Sequence, residues 1–146
     1  MIQEMTVVIK AYTDLKQSKR LAEILSHKTA NNTYERVVIS GCNLDIPEEQ
    51  QYIHRDIPFT YFSGVGIPCW SLAALLSVLP TYLFEFDRGI DLNVYPNLNG
   101  RGWHCSYMPN CIENMKTDKF KLITSGDSLV DACVTMIESL HELKIL

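Results

Sequence analysis

The uncharged segment PCWSLAALLSVLP, residues 68–80, is the feature that most limits how this chain can fold. Crossing a bilayer takes about 20 apolar residues, so the segment is too short to be a membrane span. The leucines recur at helical spacing, and two further residues widen the apolar face: Leu72, Leu75, Leu76 and Leu79, with Trp70 and Ala73. A helix that is apolar nearly all round is usually buried, and proline ends a helix. We therefore expect a core helix that ends at Pro80; a docking surface is the alternative.

The C-terminal segment from Asp127 is predicted to be an amphipathic helix. Its apolar residues are three or four positions apart and so share one face: Leu129, Ala132, Cys133, Met136, Ile137, Leu140 and Leu143. Ser128 and Asp131 have capping-box spacing, and Asp127 places negative charge at the positive end of the helix. We expect this helix to cover the core.

Between these two helices the pattern is that of strands. TYLFEFDRG and IDLNVYPN are predicted to form a hairpin that turns at Arg88–Gly89, and GRGWHCSYM and FKLITSG follow it. A second turn is expected at Asn97–Gly102. Residues 67–146 are thus predicted to be an α-β-β-β-α unit, with an antiparallel sheet of three or four strands and a helix before and after it. The fold class is α+β.

The N-terminal part is predicted to pack around this unit. MTVVIKAY and YERVVIS are expected to be short strands, and TDLKQSKRLAEILSH a helix in which Asp14 and Gln17 have capping-box spacing. Residues 43–66 contain several prolines and glycines and show no period, so we expect an irregular but packed segment. With 146 residues, the chain 1–146 is predicted to be a single domain.

Composition and charge exclude several functional classes. The chain has 13 Lys and Arg against 17 Asp and Glu, a net charge of -4, which does not favour binding to a phosphate backbone. The start MIQEMTVVIK lacks the basic region of a secretory signal. The five cysteines are odd in number and irregularly spaced, as expected for reduced thiols in a cytoplasmic protein. We expect no membrane contact.

His104, Cys105 and Cys111 form the one loose cluster of metal-ligand types. A structural zinc site needs four ligands, usually in two close pairs, and no second pair follows. Alternation along a strand would also point His104 and Cys105 to opposite faces. We therefore predict no metal site.

Catalytic groups are equally sparse. Cys69, just before the predicted helix, is the best placed nucleophile, with His54 or His104 as a base that would have to meet it in space. The acidic loop 45–56 adds four carboxylates that could serve as acid and base: Asp45, Glu48, Glu49 and Asp56. SGVGIP matches neither phosphate-loop pattern and is interpreted as a turn that leads into the helix at Trp70. No catalytic, cofactor-binding or metal-binding residue, and no cofactor, is predicted.

Two parts of the chain carry a resemblance. IPCWSLAALLSVLP and the ending GDSLVDA, after a first helix rich in serine and lysine, resemble a group of small uncharacterised proteins of gut Bacteroidales and of their phages and mobile elements. The positions that match in the first segment are Ile67, Pro68, Trp70, Ser71, Leu72, Leu75, Leu76, Leu79 and Pro80; those in the second are Gly126, Asp127 and Ala132. The resemblance implies an origin and no activity.

A second resemblance concerns the order of elements. Helix, strands and helix follow one another as in double-stranded-RNA-binding domains, and the last strand and helix look like the end of HicB-type antitoxins. The RNA-binding domains need lysines at the start of the last helix, where this chain has Asp127 and Asp131.

We therefore expect a non-enzymatic accessory protein of a phage or mobile element, which acts by contact with a protein partner or with a second copy of itself. The alternatives are an antitoxin-like or nucleic-acid-associated regulator, and a small hydrolase that uses Cys69 or the acidic loop 45–56.

Overall fold

The computed structural model describes residues 9–37, 46–85, 88–98, 100–109 and 122–146. These form an α+β fold with three α-helices and two antiparallel sheets, which confirms the predicted fold class. The helices are α1 Leu15–Ala22, α2 Leu72–Val78 and α3 Leu129–Glu142. The strands are β1 Asn32–Arg36, β2 Tyr52–Arg55, β3 Gly66–Cys69, β4 Tyr82–Glu85, β5 Arg88–Pro96, β6 Trp103–Pro109 and β7 Leu122–Gly126.

The two sheets are formed by separate parts of the sequence. The N-terminal sheet has three strands in the order β2-β1-β3, and the C-terminal sheet is a meander of four strands in the order β4-β5-β6-β7. Helix α3 packs on β6 and β7, α2 packs beside α3, and α1 packs on β3. Within the described ranges the predicted C-terminal unit is therefore present, with four strands between its two helices.

Helix α2 begins later than predicted. Ser71 is its N-cap and its hydroxyl accepts a hydrogen bond from the backbone N–H of Ala74, so Trp70 lies before the helix. The buried face contains Ala74 and Leu75, whereas Ala73 is exposed. The prediction that Trp70 and Ala73 widen the helical face is wrong, because the cap excludes Trp70 from the helix. Trp70 is nevertheless fully buried.

Helix α3 agrees with the prediction except at its end. Ser128 is the N-cap and accepts from the backbone N–H of Asp131. The buried face also includes Val130 and Val134, so the apolar stripe is broader than predicted. Leu143 is 53% exposed, because the helix ends at Glu142 and Leu143 is its C-cap rather than part of the buried helical face.

The predicted turn at Arg88–Gly89 is wrong, because both residues pair with β4 across the hairpin. Arg88 and Gly89 belong to β5, and the register sets Leu83 opposite Ile90 and Glu85 opposite Arg88.

The predicted turn at Asn97–Gly102 is confirmed by a hydrogen bond from the backbone N–H of Asn97 to the carbonyl of Gly102. Gly102 has a φ of 105°, and a Cβ there would lie 2.5 Å from the carbonyl oxygen of Gly126. Glycine is therefore required, because this turn lies directly against the loop that leads into α3.

The N-terminal part contains a sheet that the sequence did not reveal. Strand β2 lies within the segment predicted to be irregular, and β1 begins at Asn32, earlier than predicted. The first half of MTVVIKAY, residues 5–8, falls outside the described residues. None of residues 9–12 lies in a strand, and Tyr12 makes a single bridge to Ser71. The capping box of Asp14 and Gln17 is confirmed.

Candidate functional site

The Cys69 thiol lies in a closed polar cluster below α1. It is fully buried, 3.6 Å from the hydroxyl of Thr13, and it donates to the Thr13 carbonyl at the same distance. Thr13 is in turn hydrogen-bonded to Ser18 at 2.7 Å. Burial raises the pKa of Cys69, and the surrounding hydrogen bonds only partly offset this effect. The thiol is therefore protonated at neutral pH and does not have the properties of a nucleophile.

His54 shares a face of the N-terminal sheet with Cys69 but is engaged elsewhere. Its ring stacks on Tyr12 with the centroids 3.7 Å apart, and its Nε2 is 3.1 Å from Oδ1 of Asn32. Tyr34 lies edge-on to both rings and donates its hydroxyl to the Thr13 carbonyl. Burial lowers the pKa of His54, with the charge of Asp56 acting in the opposite direction. The imidazole is thus a neutral member of an aromatic cluster.

The acidic loop forms ion pairs with α1. Glu48 pairs with Lys19, and Glu49 lies 4.0 Å from Lys16. Asp45 lies outside the described residues, and Asp56 is exposed. An open depression of about 410 Å³ beside Glu49 is also lined by Asp14, Leu15, Lys16 and Tyr34. Each described glutamate of the loop thus faces a lysine of α1.

The loose metal-ligand cluster is split by the sheet. Cys105 is fully buried on the face of β6 that α3 covers, and His104 lies on the opposite face beside Tyr95, with the ring centroids 5.1 Å apart. Cys111 lies outside the described residues. Within the described ranges, no three histidine, cysteine or acidic side chains are grouped as metal ligands would be.

The face of β6 that carries His104 also carries Ser106. Nδ1 of His104 and Oγ of Ser106 are buried and have no hydrogen-bond partner in the part of the chain that is described. The adjacent strand positions are Asn93 and Tyr95 on β5, and Ile123 and Ser125 on β7. This face is therefore mixed polar and aromatic, and it differs from the apolar face below α3.

SGVGIP leads into a strand. Gly66 is the first residue of β3, and a Cβ there would lie 2.9 Å from both the Phe62 ring and the carbonyl oxygen of Tyr34. The interpretation as a turn directly before the helix is therefore wrong, because β3 separates the glycines from α2. A phosphate loop needs a helix N-terminus directly after its glycines, and none is present here.

An ion-pair network that was not foreseen joins the N-terminal segment to α3. Nζ of Lys10 is 2.7 Å from Oδ1 of Asp131 and 3.0 Å from Oδ2 of Asp14, and Gln17 donates to the same Asp131 oxygen at 2.8 Å. Burial raises the pKa of Asp131, but the hydrogen bonds from Lys10, Gln17 and Ser128 outweigh it, so the pKa is lowered. No local pattern indicates this network, since Gln17 and Asp131 are 114 residues apart.

The loop between β2 and β3 is held firmly but displays apolar side chains. We call residues 57–65 the display loop. Phe59 packs against the core and edge-on to His27, and the Ile57 carbonyl accepts from the Thr33 hydroxyl at 2.8 Å. Tyr61 is 82% exposed and Val65 is 66% exposed. The inward residues fix the backbone, and the outward ones face solvent.

Comparison with known protein families, with curated proteins and with solved structures found no match. Among the described residues, no helix has the length and apolar character needed to cross a membrane.

Proposed function

We propose that this protein acts by binding another protein through the display loop and has no catalytic role. The observation that carries the proposal is the exposure of Tyr61 and Val65 on a loop whose backbone is held by Phe59 and by the hydrogen bond to Ile57. Tyrosine provides a large contact area at a low entropic cost, and an anchored loop loses little further freedom on binding. We place it in the cytoplasm as an accessory component of a phage or mobile element.

The state of the reactive groups supports this proposal. The Cys69 thiol is protonated and enclosed, His54 is hydrogen-bonded to Asn32, and Glu48 and Glu49 of the acidic loop face lysines. Catalysis by any of these groups would first require existing interactions to break. A contact through the display loop requires no such change.

Affinity purification with paired variants tests the proposal. The chain is expressed in cells of its natural host as wild type, as the double variant Tyr61→Ser/Val65→Ser, and as Leu98→Ser. Leu98 is a matched control, since it is 93% exposed on the distant β5–β6 turn. We expect one protein to be retained by wild type and by Leu98→Ser and to be lost from the double variant.

Equal retention by all three chains would contradict the display loop as the binding surface. Analytical ultracentrifugation of the purified protein decides whether the partner is a second copy of this chain. In that case the wild type and Leu98→Ser sediment as dimers and the double variant as a monomer. A cell extract that yields no retained protein, together with a monomeric wild type, would contradict the proposal itself.

A further inference from the structure

Two cysteines meet in the core between the C-terminal sheet and the last helix. Cys105 on β6 and Cys133 on α3 are both fully buried and belong to the same apolar cluster. The two thiols interact with each other, since each is the largest influence on the pKa of the other. Cys69, the other cysteine in the described residues, is hydrogen-bonded to Thr13 instead.

A threonine holds the two backbones at this point. Thr124 on β7 is the cross-strand neighbour of Cys105. Its hydroxyl oxygen is 2.8 Å from the carbonyl oxygen of Ala132, the residue before Cys133, and 3.4 Å from the carbonyl oxygen of Cys105. One side chain therefore contacts the main chain of the strand and of the helix beside the cysteines. The geometry is set by the backbone and does not depend on the thiols alone.

We propose that Cys105 and Cys133 are a redox modification site that forms a reversible disulfide between β6 and α3. With hydrogen peroxide as the oxidant, one thiol becomes a sulfenic acid and a first water leaves. The second sulfur then attacks the sulfenic sulfur, the S–S bond forms, and a second water leaves. The hydrogens of both thiols end in the two waters. A dithiol reductant reverses the reaction by exchange.

The two sulfurs have different roles in this reaction. The interaction with Cys133 lowers the pKa of Cys105, and the same interaction together with burial raises the pKa of Cys133. Because the thiolate is the form that attacks peroxide, Cys105 is the cysteine that is oxidised first and Cys133 is the one that resolves it. Since neither sulfur is exposed, peroxide enters when α3 opens locally. Concentrations of urea below the unfolding transition should therefore accelerate the reaction.

The test uses a chain in which the two cysteines outside the described residues are replaced, Cys42→Ser/Cys111→Ser. Its remaining cysteines are Cys69, Cys105 and Cys133. The reduced protein is treated with peroxide in sub-denaturing urea, then denatured, alkylated and weighed by mass spectrometry. We expect two fewer alkylated thiols, and a tryptic cross-link between peptides 102–116 and 122–144 that dithiothreitol removes. The disulfide should raise the Tm by about 5–10 °C.

Single replacements in this background separate the proposal from oxidation in general. Cys69→Ala should still form the disulfide, whereas Cys133→Ala should form none and should leave a sulfenic acid on Cys105 that dimedone traps. The wild-type chain, with all five cysteines, is treated in parallel. It should give the same cross-linked peptides, which shows that the serine replacements do not cause the disulfide to form. Three alkylated thiols after oxidation, a disulfide that includes Cys69, or a disulfide between two chains would each overturn the proposal.

Discussion

Replacement of Trp70 by alanine should remove a large part of the stability of this fold. The indole ring is fully buried, and its N–H donates to the hydroxyl of Thr29 at 2.9 Å. The main chain of Trp70 is paired with Thr13 in both directions, so the residue joins the segment before α1 to the segment before α2. Little rearrangement can fill the space, because the backbone on both sides of the ring is fixed.

The expected cost follows from this burial. Truncation of a buried tryptophan to alanine costs about 3–5 kcal/mol, against a total of about 5–15 kcal/mol for a typical domain. For a chain of this size the Tm should fall by about 6–20 °C. Trp70→Phe keeps most of the apolar ring and loses the hydrogen bond to Thr29, so we expect a smaller loss of about 1–2 kcal/mol.

Urea unfolding followed by far-ultraviolet circular dichroism measures these differences, since the signal comes from the helices and does not require a tryptophan. The midpoint of Trp70→Ala should lie roughly 2 M below that of the wild type. Trp103→Ala is the control, because Trp103 is 37% exposed, and its loss should not exceed about 1.5 kcal/mol. Equal losses for Trp70→Ala and Trp103→Ala would refute the assignment of Trp70 to the core.

Three further outcomes are expected. Acid should lower the free energy of unfolding from about pH 5 downwards, and the loss should be smaller in Asp131→Asn. The pKa of Asp131 is lower in the folded state than its unfolded value near 3.8, so its carboxylate stabilises the fold above that pH and the contribution is lost as the pH falls through the folded pKa. Parallel acid curves for the two proteins would contradict this role. A chelator should leave the Tm unchanged, whereas a drop of several degrees would indicate a bound metal ion. Fluorescence titrations with duplex DNA, duplex RNA and single strands should show no complex tighter than about 10 μM at moderate salt. A salt-dependent micromolar complex would instead favour a nucleic-acid-associated regulator.

Features of the candidate site could be predicted from the sequence only where they depend on residues that are adjacent in the chain. Alternation along β6 was enough to predict that His104 and Cys105 point to opposite faces, which the structure confirms. The same reasoning could not show whether a histidine reaches Cys69, because that depends on how three strands align. Nor could it find the contact between Cys105 and Cys133, since the two residues lie on different elements and no local pattern relates their positions.

Local chemistry determined the parts of this protein that the sequence alone reveals. The caps at Asp14 and Ser128 depend on residues within one helical turn, and the apolar stripe of α3 depends on a period of a few residues, so both could be inferred without a partner. Only the tertiary structure decided the three-stranded sheet and the link from Lys10 to Asp131, which is 121 residues away. A four-residue strand such as β2 has too little intrinsic preference to be recognised, and it is stabilised by the strand it pairs with.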